Sequence, residues 1–342
     1  MYYVGLDVHK NQTTICVLDC NGKKVMGRTV YGQAPEVISV LKKLKEPFAV
    51  CYEASSGYGY WHDALSPWAR HIRVAHPGQV RLIFRSKRKN DRIDAEKLAK
   101  LLFLDQVPGV HVPGHDVRSW RAAIEFRCRL VNERTRAKNR LRAFLRRLGI
   151  RSPFRLWNQK GFAWLAKMEF PDELDALQRD MMVEEIQRDS QRIKRVEKAL
   201  ARFAEGHPGV MLLQTIPGVG IRTAESIVAY IDNPGRFRTN KTIGAYFGLV
   251  PSLDASASVV RHGHITREGP AIVRAMLVEA VWQGIRRSPR IRAFYDRINK
   301  RNPERKKVAV VATAHYLARV MLAMLSTGEV WREDSKTPLQ AA

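Results

Sequence analysis

Four carboxylates stand apart in a chain crowded with positive charge. Asp7 sits inside an apolar run, YYVGLDV, where an ionised carboxyl carries a large desolvation cost unless a cation or a donor meets it. Glu53 ends a second apolar run, FAVCYE. Asp91 and Asp94 lie one helical turn apart in KNDRIDAEKL, a spacing that puts both on one side of a helix. Four oxygen ligands of this kind suit hard octahedral cations that also bind phosphate. Two such ions can activate the attacking oxygen and stabilise the leaving one in phosphoryl transfer. Each position also has a plainer reading: Asp7 as a sheet-edge acid facing water, Asp91 as an acid favouring the dipole at a helix N-terminus. The flank SKRKN, with Lys87, Arg88 and Lys89, adds positive charge where a backbone phosphate would enter, although such runs are most often solvated loops.

A second constellation lies in the C-terminal half. TIPGVGIRTAESIVAYI reads as the second part of a helix-hairpin-helix, with Pro217-Gly218-Val219-Gly220 as a tight turn before a helix. Exposed amides at Gly218 and Gly220 can donate to a phosphate without reading sequence, and the plain alternative is a simple helix-to-helix turn. Downstream, SLDASASVVRHGHITREG reads as a polar, small-residue loop between two helical blocks, carrying Arg261, His262, His264 and Arg267. A serine there could attack a phosphodiester if its proton is removed and cationic groups or metal stabilise the phosphorane. On residue types alone, a serine-rich loop is most often just a loop.

The elements that must position these groups follow from periodicity. YYVGLDV, TTICVLD and KKVMGRTV read as three short strands, with Asn21-Gly22 marking the second turn, hence an antiparallel meander. A helix over EVISVLKKLK, a strand FAVCYE, a helix around Trp61 to Trp68, a strand HIRVAHP and a helix from about Asp91 to Leu104 complete the order βββαβαβα. That is the element order of the ribonuclease H-like fold. In such a sheet the strand ending at Glu53 lies beside the first strand, so its carboxylate converges on that of Asp7.

Val117 to Ile150 is different in kind. Trp120, Ile124, Val131, Ala137, Leu141, Phe144 and Leu148 recur at helical spacing, and arginines, among them Arg134, Arg136, Arg140 and Arg147, crowd the other faces. The segment is a long basic amphipathic helix whose arginines suit phosphate contact. Met182, Ile186, Ile193, Val196, Leu200 and Phe203 then follow steps of three and four, broken where Asp189 falls on the seam, which suits a coiled-coil hairpin or a dimer contact. Pro153, Gly161 and Pro171 punctuate the connection, and after Gly206-His207-Pro208-Gly209 a helical region runs to a polar tail. The expected organisation is an α/β domain over 1–108, a basic helical or coiled-coil region over 109–206, a helical domain over 207–327 and a tail over 328–342.

Composition sets the partner class. The 342 residues suffice for two or three domains, and 45% hydrophobic content agrees with a folded protein. Fifty-nine Lys and Arg against 33 Asp and Glu leave a formal charge of +26, far beyond what solubility needs, so a polyanion is the expected partner, and nucleic acid fits it. An anionic membrane fits less well, because the basic residues are spread through folded-looking segments and neither end carries an amphipathic tail or a lipidation motif. Cys16, Cys20, Cys51 and Cys128 lack paired metal spacing and read as reduced, buried thiols, with no zinc site implied. The N-terminus lacks the pattern of a signal peptide, and the longest apolar run, Val308 to Leu325, is broken by His315 and Arg319. A soluble cytoplasmic protein is expected.

With MYYVGLDVHK, CYEAS, KNDRIDA, IPGVGIRTAESI and FGLVPSLDASASVVRHGHITREG in this order, nearly the whole chain resembles the DEDD-type transposases of bacterial insertion sequences, insertion-sequence family 110, and their DNA-invertase relatives. The resemblance implies a RuvC-like N-terminal domain, a coiled-coil middle and a C-terminal transposase domain. It implies that the family's acidic tetrad falls on Asp7, Glu53, Asp91 and Asp94 and holds Mg²⁺. It also implies a nucleophilic serine five residues after the proline of the GL-x-P element, which is Ser256 counting from Pro251. Ala257 stands where the family commonly has glycine, and Ala255 precedes the serine, so Ser258 and Ser252 stay open. The resemblance further implies a homo-oligomer, dimer or tetramer, in which a serine of one subunit meets the acidic tetrad of another and forms a 5′-phosphoserine. It also implies a structured guide RNA that pairs with donor and target DNA, while the protein holds mostly backbone.

Rival readings share parts of this pattern. A RuvC-type structure-specific nuclease would use the acidic site alone, with no serine step. An actin-like ATPase also begins with an Asp in a βββ unit, but GLDVHKNQTT lacks the glycine richness of its phosphate loops. A non-catalytic nucleic-acid-binding protein explains the charge and the hairpin turn, yet not four acids in a basic chain.

Overall fold

A computed structural model describes residues 1–83, 90–256 and 259–333, the side chains of residues 254–262 excepted. The chain divides into two units, Met1–Arg118 and Ser119–Ala342. In the first, the β-rich N-terminal sequence forms β1 (Tyr2–Val8), β2 (Gln12–Leu18) and β3 (Lys24–Tyr31), followed by α1 (Ala34–Leu41), β4 (Phe48–Glu53), α2 (Tyr58–Leu65), β5 (His71–Ala75), α3 (Pro77–Ile83) and α4 (Asp91–Phe103). The sheet has the order β3-β2-β1-β4-β5. β1 pairs antiparallel with β2, and β2 with β3, whereas β4 runs parallel to β1 and β5 parallel to β4. The strand-and-helix order therefore follows the expected pattern, with α3 added. Only Val80 of α3 is buried, so PGQVRLI carries no apolar periodicity that could announce a helix.

Strand alternation divides this unit into two layers. Val4, Leu6, Ile15, Val17, Val50 and Tyr52 face one side, where Val37 and Leu41 of α1 and Trp61 and Leu65 of α2 close a core. On the other side Cys16 and Leu18 pack with Ala95 and Ala99 of α4, and Ala49 and Cys51 pack with Leu98 and Leu101. Gly5 sets the distance between β1 and α4. A methyl group at Gly5 would fall on the Ala95 carbonyl oxygen and the Ala99 backbone nitrogen, so the helix lies as close to the strand as backbone permits.

The second unit takes in most of α5 (His115–Arg147), then α6 (Gln159–Ala166), α7 (Glu173–Ala204), α8 (Pro208–Gln214), α9 (Ile221–Ile231), α10 (Thr242–Tyr246), β6 (Pro251–Ser256), β7 (Val259–Ile265), α11 (Ala271–Arg287), α12 (Pro289–Asn299) and α13 (Lys306–Thr327). α5 and α7 join through Arg127–Glu197 and Arg140–Glu185 ion pairs and through an apolar cluster that includes Ala137, Leu141, Phe144 and Ile186. Asp189 is buried on the α7 seam with Arg192 3.7 Å away. Phe203, read as the last seam residue, is 55% exposed, and Ala204 is buried instead. A straight α-helix drifts from a strict heptad seam, so the buried stripe moves on by one residue there.

Three further expectations change. The connection after α5 contains α6, capped by Asn158, whose Oδ1 accepts from Gly161 N at 2.8 Å. The serine-rich segment, expected as a loop, is an antiparallel hairpin in which Ser256 pairs with Val259. Pro251, Ser252 and Leu253 are all exposed, so this part of the strand offers no period-two pattern to read. The cysteines are not uniformly buried: Cys16 and Cys51 are, Cys128 is half-buried and Cys20 is exposed. α13 and the turn before it, Pro303–Thr327, are long and apolar enough to cross a membrane, yet Val310, Ala314, Leu317 and Met321 sit in the core with Ile227, Leu277 and Val281.

Candidate active site

Asp7 follows Gly5 by two residues, so strand alternation turns it to the face that α4 covers. Its side chain is 22% exposed. Burial raises its carboxyl above the ordinary range, His9 opposes that rise, and the charges of Asp91 and Asp94 add to it. His9 Nε2 stands 3.0 Å from Asp7 Oδ2 and 3.6 Å from Asp91 Oδ2. Gln12 Nε2 donates to the same Asp91 oxygen at 3.4 Å. Asn90 caps α4 by accepting from Arg92 N at 3.0 Å, which fixes Asp91 and Asp94 in the first turn, where the helix dipole favours them. Asp94 accepts from Lys97 Nζ at 2.9 Å.

Glu53 ends β4. Leu6 pairs with Tyr52, so Glu53 stands one step beyond that pair, on the strand beside Asp7. It shares a β4 face with Cys51, whose buried thiol is pushed up to about 12, with the charge of Glu53 adding to the effect of burial. The structure thus brings Asp7 and Asp91 together and places Asp94 close enough to act on Asp7. Among the described residues, the group whose ligand atoms lie within 4.8 Å of one another is Asp7, His9 and Asp91, without Glu53 or Asp94. Two carboxylates and an imidazole form a donor set that fits a divalent cation, and the mutual repulsion of the acids gives that cation something to relieve. His9 was not anticipated. The available signal was its spacing from Asp7, which puts position i+2 of an extended chain on the same side.

In the second unit the turn before α9 lies between α8 and α9, and Val219 N donates to Ile216 O at 3.0 Å. Gly218 has φ 94°, and a Cβ there would meet the backbone nitrogen of Gly284 on α11, so this part of the turn presses against a helix. Gly220 is exposed at the N-cap of α9. Ser256 is the last residue of β6, and Ser252, near the start of the same strand, is exposed. The side chains of Ser256 and Arg261, the residue Ser258, and Lys87, Arg88 and Lys89 lie outside the described residues. Arg267 is exposed with φ 57°, and its amide donates to Gly248 O at 3.2 Å.

Comparison with known proteins decides the class. A family model for DEDD transposases of the IS110 type matches residues 4–150, and a second, described as the transposase IS116/IS110/IS902 family, matches residues 210–296. The chain belongs to the IS110 family of insertion-sequence transposases. The first match takes in Asp7, Glu53, Asp91 and Asp94, and the second takes in Gly218, Gly220 and Ser256. The transposase for insertion sequence element IS1111A of Coxiella burnetii is 25% identical over 341 residues, 96% of this chain and 91% of its own. The transposase for IS1328 of Yersinia enterocolitica is 25% identical over 96% of this chain and 98% of its own. The transposase for IS1533 of Leptospira borgpetersenii is 25% identical over 82% of this chain and 84% of its own.

The IS110-family transposase carries its basic residues in two different states. Arg140 donates to Glu185 at 2.6 Å and Arg147 to Asp175 at 3.3 Å, so these two arginines, expected on a phosphate-binding face, join α5 to α7. The Arg134 Nε is buried, whereas Arg136 is exposed and has no acidic partner among the described residues. The turn between α12 and α13 is a basic surface that sequence reading passed over: Arg297, Lys300, Arg301, Arg305, Lys306 and Lys307 are all exposed. The missed signal was their density around Asn302 and Pro303, which break the helix and gather the charges at one turn.

Proposed function

We propose that this transposase cuts and rejoins DNA through a phosphoserine intermediate formed by Ser256, at a Mg²⁺ site supplied by Asp7, Glu53, Asp91 and Asp94 on a ribonuclease H-like, RuvC-like sheet. The observation that carries this reading is the meeting of Asp7, His9 and Asp91 beneath the first turn of α4, in a chain whose family acts on DNA. We assign the metal site to residues 1–108, a basic helical spacer to 109–206 and the serine to 207–327, with 328–342 as a tail. When bound, the metal polarises the scissile phosphate and offsets the charge that develops on it. Asp7, Asp91 and the His9 imidazole between them would offer donor atoms to it, Gln12 orients Asp91, and the close seat of Ala95 on Gly5 fixes α4 over β1.

In the chemical step the Ser256 Oγ–phosphorus bond forms as the bond from phosphorus to the DNA 3′ oxygen breaks. The serine hydroxyl loses its proton and the 3′ oxygen gains one. The bond energy stays in the phosphoserine, so strands can be rejoined without ATP. Arg261 and Arg267 offset charge on the pentacoordinate phosphorus. The proposed partners are donor and target DNA, a structured guide RNA and further copies of this chain as a dimer or tetramer in the cytoplasm, with no membrane. The charge of +26 supports a protein that mostly holds backbone while base pairing reads sequence.

The experiment is recombination of donor and target DNA with Mg²⁺ by Asp7→Asn, Glu53→Gln, Asp91→Asn and Asp94→Asn. Each should fall on the order of 100-fold or more, beyond the loss typical of disturbing a ligand's partner. Wild-type rates in two of them would remove the metal site from this position. The alternative, a RuvC-type nuclease without a covalent intermediate, predicts metal-dependent cleavage that is lost in the same variants, with no recombination and no protein–DNA adduct.

A further inference from the structure

At the C-terminal end of α5 the structure has a cavity of about 520 Å³ that none of the proposed chemistry uses. Its walls divide by chemistry. Leu145, Ile150 and Leu156 give an apolar floor, and Arg142, Arg146 and Arg151 give three guanidinium groups, with no acid in the lining. We propose that this cavity binds one unpaired nucleotide of a nucleic-acid strand, with its phosphate on Arg142, Arg146 and Arg151 and its base on Leu145, Ile150 and Leu156. The proposal rests on the reading of the protein as a nucleic-acid enzyme, and adds to it where a single strand is held.

The simpler accounts of these arginines fall short. A helix C-terminus attracts cations, and Arg146 lies in the last turn of α5. The dipole there amounts to roughly half an elementary charge, too little to hold three cations, and Arg142 lies a turn earlier while Arg151 lies past the helix. Pairing with α7 is the second account, and Arg147 shows what that looks like, with Asp175 at 3.3 Å. Among the described residues neither Arg146 nor Arg151 has an acid within 4.0 Å, and Arg142 reaches only the Asn139 Oδ1, at 3.4 Å.

The surroundings add positive charge rather than compensate it. Lys138 and Arg142 both lie over the Trp157 ring, 5.1 and 5.2 Å from its centroid. Burial lowers the Lys138 ammonium from its ordinary value, and the charges of Arg134 and Arg142 lower it further. Ser152 shapes the wall, since its hydroxyl donates to Phe154 O at 2.8 Å. A duplex keeps its bases stacked and paired, so an apolar floor behind three cations suits a base that has left the stack.

The test uses the full chain and short labelled single strands of RNA and of DNA beside a duplex of the same length, with fluorescence anisotropy read across a salt series. The triple variant Arg142→Ala, Arg146→Ala and Arg151→Ala should weaken single-strand binding roughly tenfold or more and flatten its salt slope by about 0.7, the share of the one phosphate these arginines hold. Duplex binding should fall much less. The control Arg297→Ala, Lys300→Ala and Arg301→Ala removes equal charge from the exposed turn and should not discriminate between strands. Melting curves check that both variants fold. Single-strand affinity within twofold of wild type, or equal loss for single strand and duplex in the triple variant, would overturn the pocket. A preference for RNA over DNA, or the reverse, among strands lost by the triple variant would identify the source of the nucleotide. A wild-type protein that binds no nucleic acid would overturn the functional reading itself.

Discussion

Asp7 was legible because a carboxylate inside YYVGLDV has no apolar explanation, and the structure puts it half-buried beside Asp91 and His9. Burial and the acids around it raise its carboxyl, so the folded protein holds that proton more tightly than the unfolded chain does. Stability attributable to Asp7 is therefore fully present below the ordinary aspartate range and is lost as pH rises through the elevated folded value. Above that value the ionised group is a standing cost to the metal-free fold. Asp7→Asn in chelator should consequently melt higher than wild type at neutral pH, and the difference should vanish in acid. A lower melting point for the variant at neutral pH would mean that the carboxylate is held by donors rather than strained by burial. The contact of His9 with Asp91 was not legible, because it depends on how the end of β1 and the start of α4 face each other, which no spacing within one element conveys.

At the scale of elements, Gly5 on β1 carries the arrangement of the acidic site, since its missing side chain lets Ala95 and Ala99 of α4 rest on the strand. Gly5→Val forces α4 outward, with a cost on the order of 1–3 kcal/mol for overpacking and a shift of Asp91 away from Asp7. Denaturant unfolding should show the loss of stability, and recombination should fall further than stability alone accounts for. Activity retained at wild-type level in a folded Gly5→Val protein would show that α4 need not sit close. The sheet was readable because β1, β2 and β4 bury apolar runs, whereas the start of β6 was not, because the exposed Pro251, Ser252 and Leu253 carry no alternation. The long basic helix was readable, but not which arginines would pair with α7, because Glu185 and Asp175 belong to a second helix whose register against α5 is a tertiary fact.

On the scale of the whole molecule, the charge of +26 named the partner class, and the order of short motifs along the chain named the family that two family models then matched. The central claim is that Ser256 joins covalently to DNA cut at the acidic site. The direct measurement is a denaturing gel of the Mg²⁺-dependent reaction on labelled donor DNA with wild type, Ser256→Ala, Ser258→Ala, Ser252→Ala and Asp7→Asn. The account predicts a protein-linked label in wild type, Ser252→Ala and Ser258→Ala, and none in Ser256→Ala or Asp7→Asn, although both of those still bind DNA. An adduct that persists in Ser256→Ala, or metal-dependent cleavage with no adduct in any protein, would contradict it.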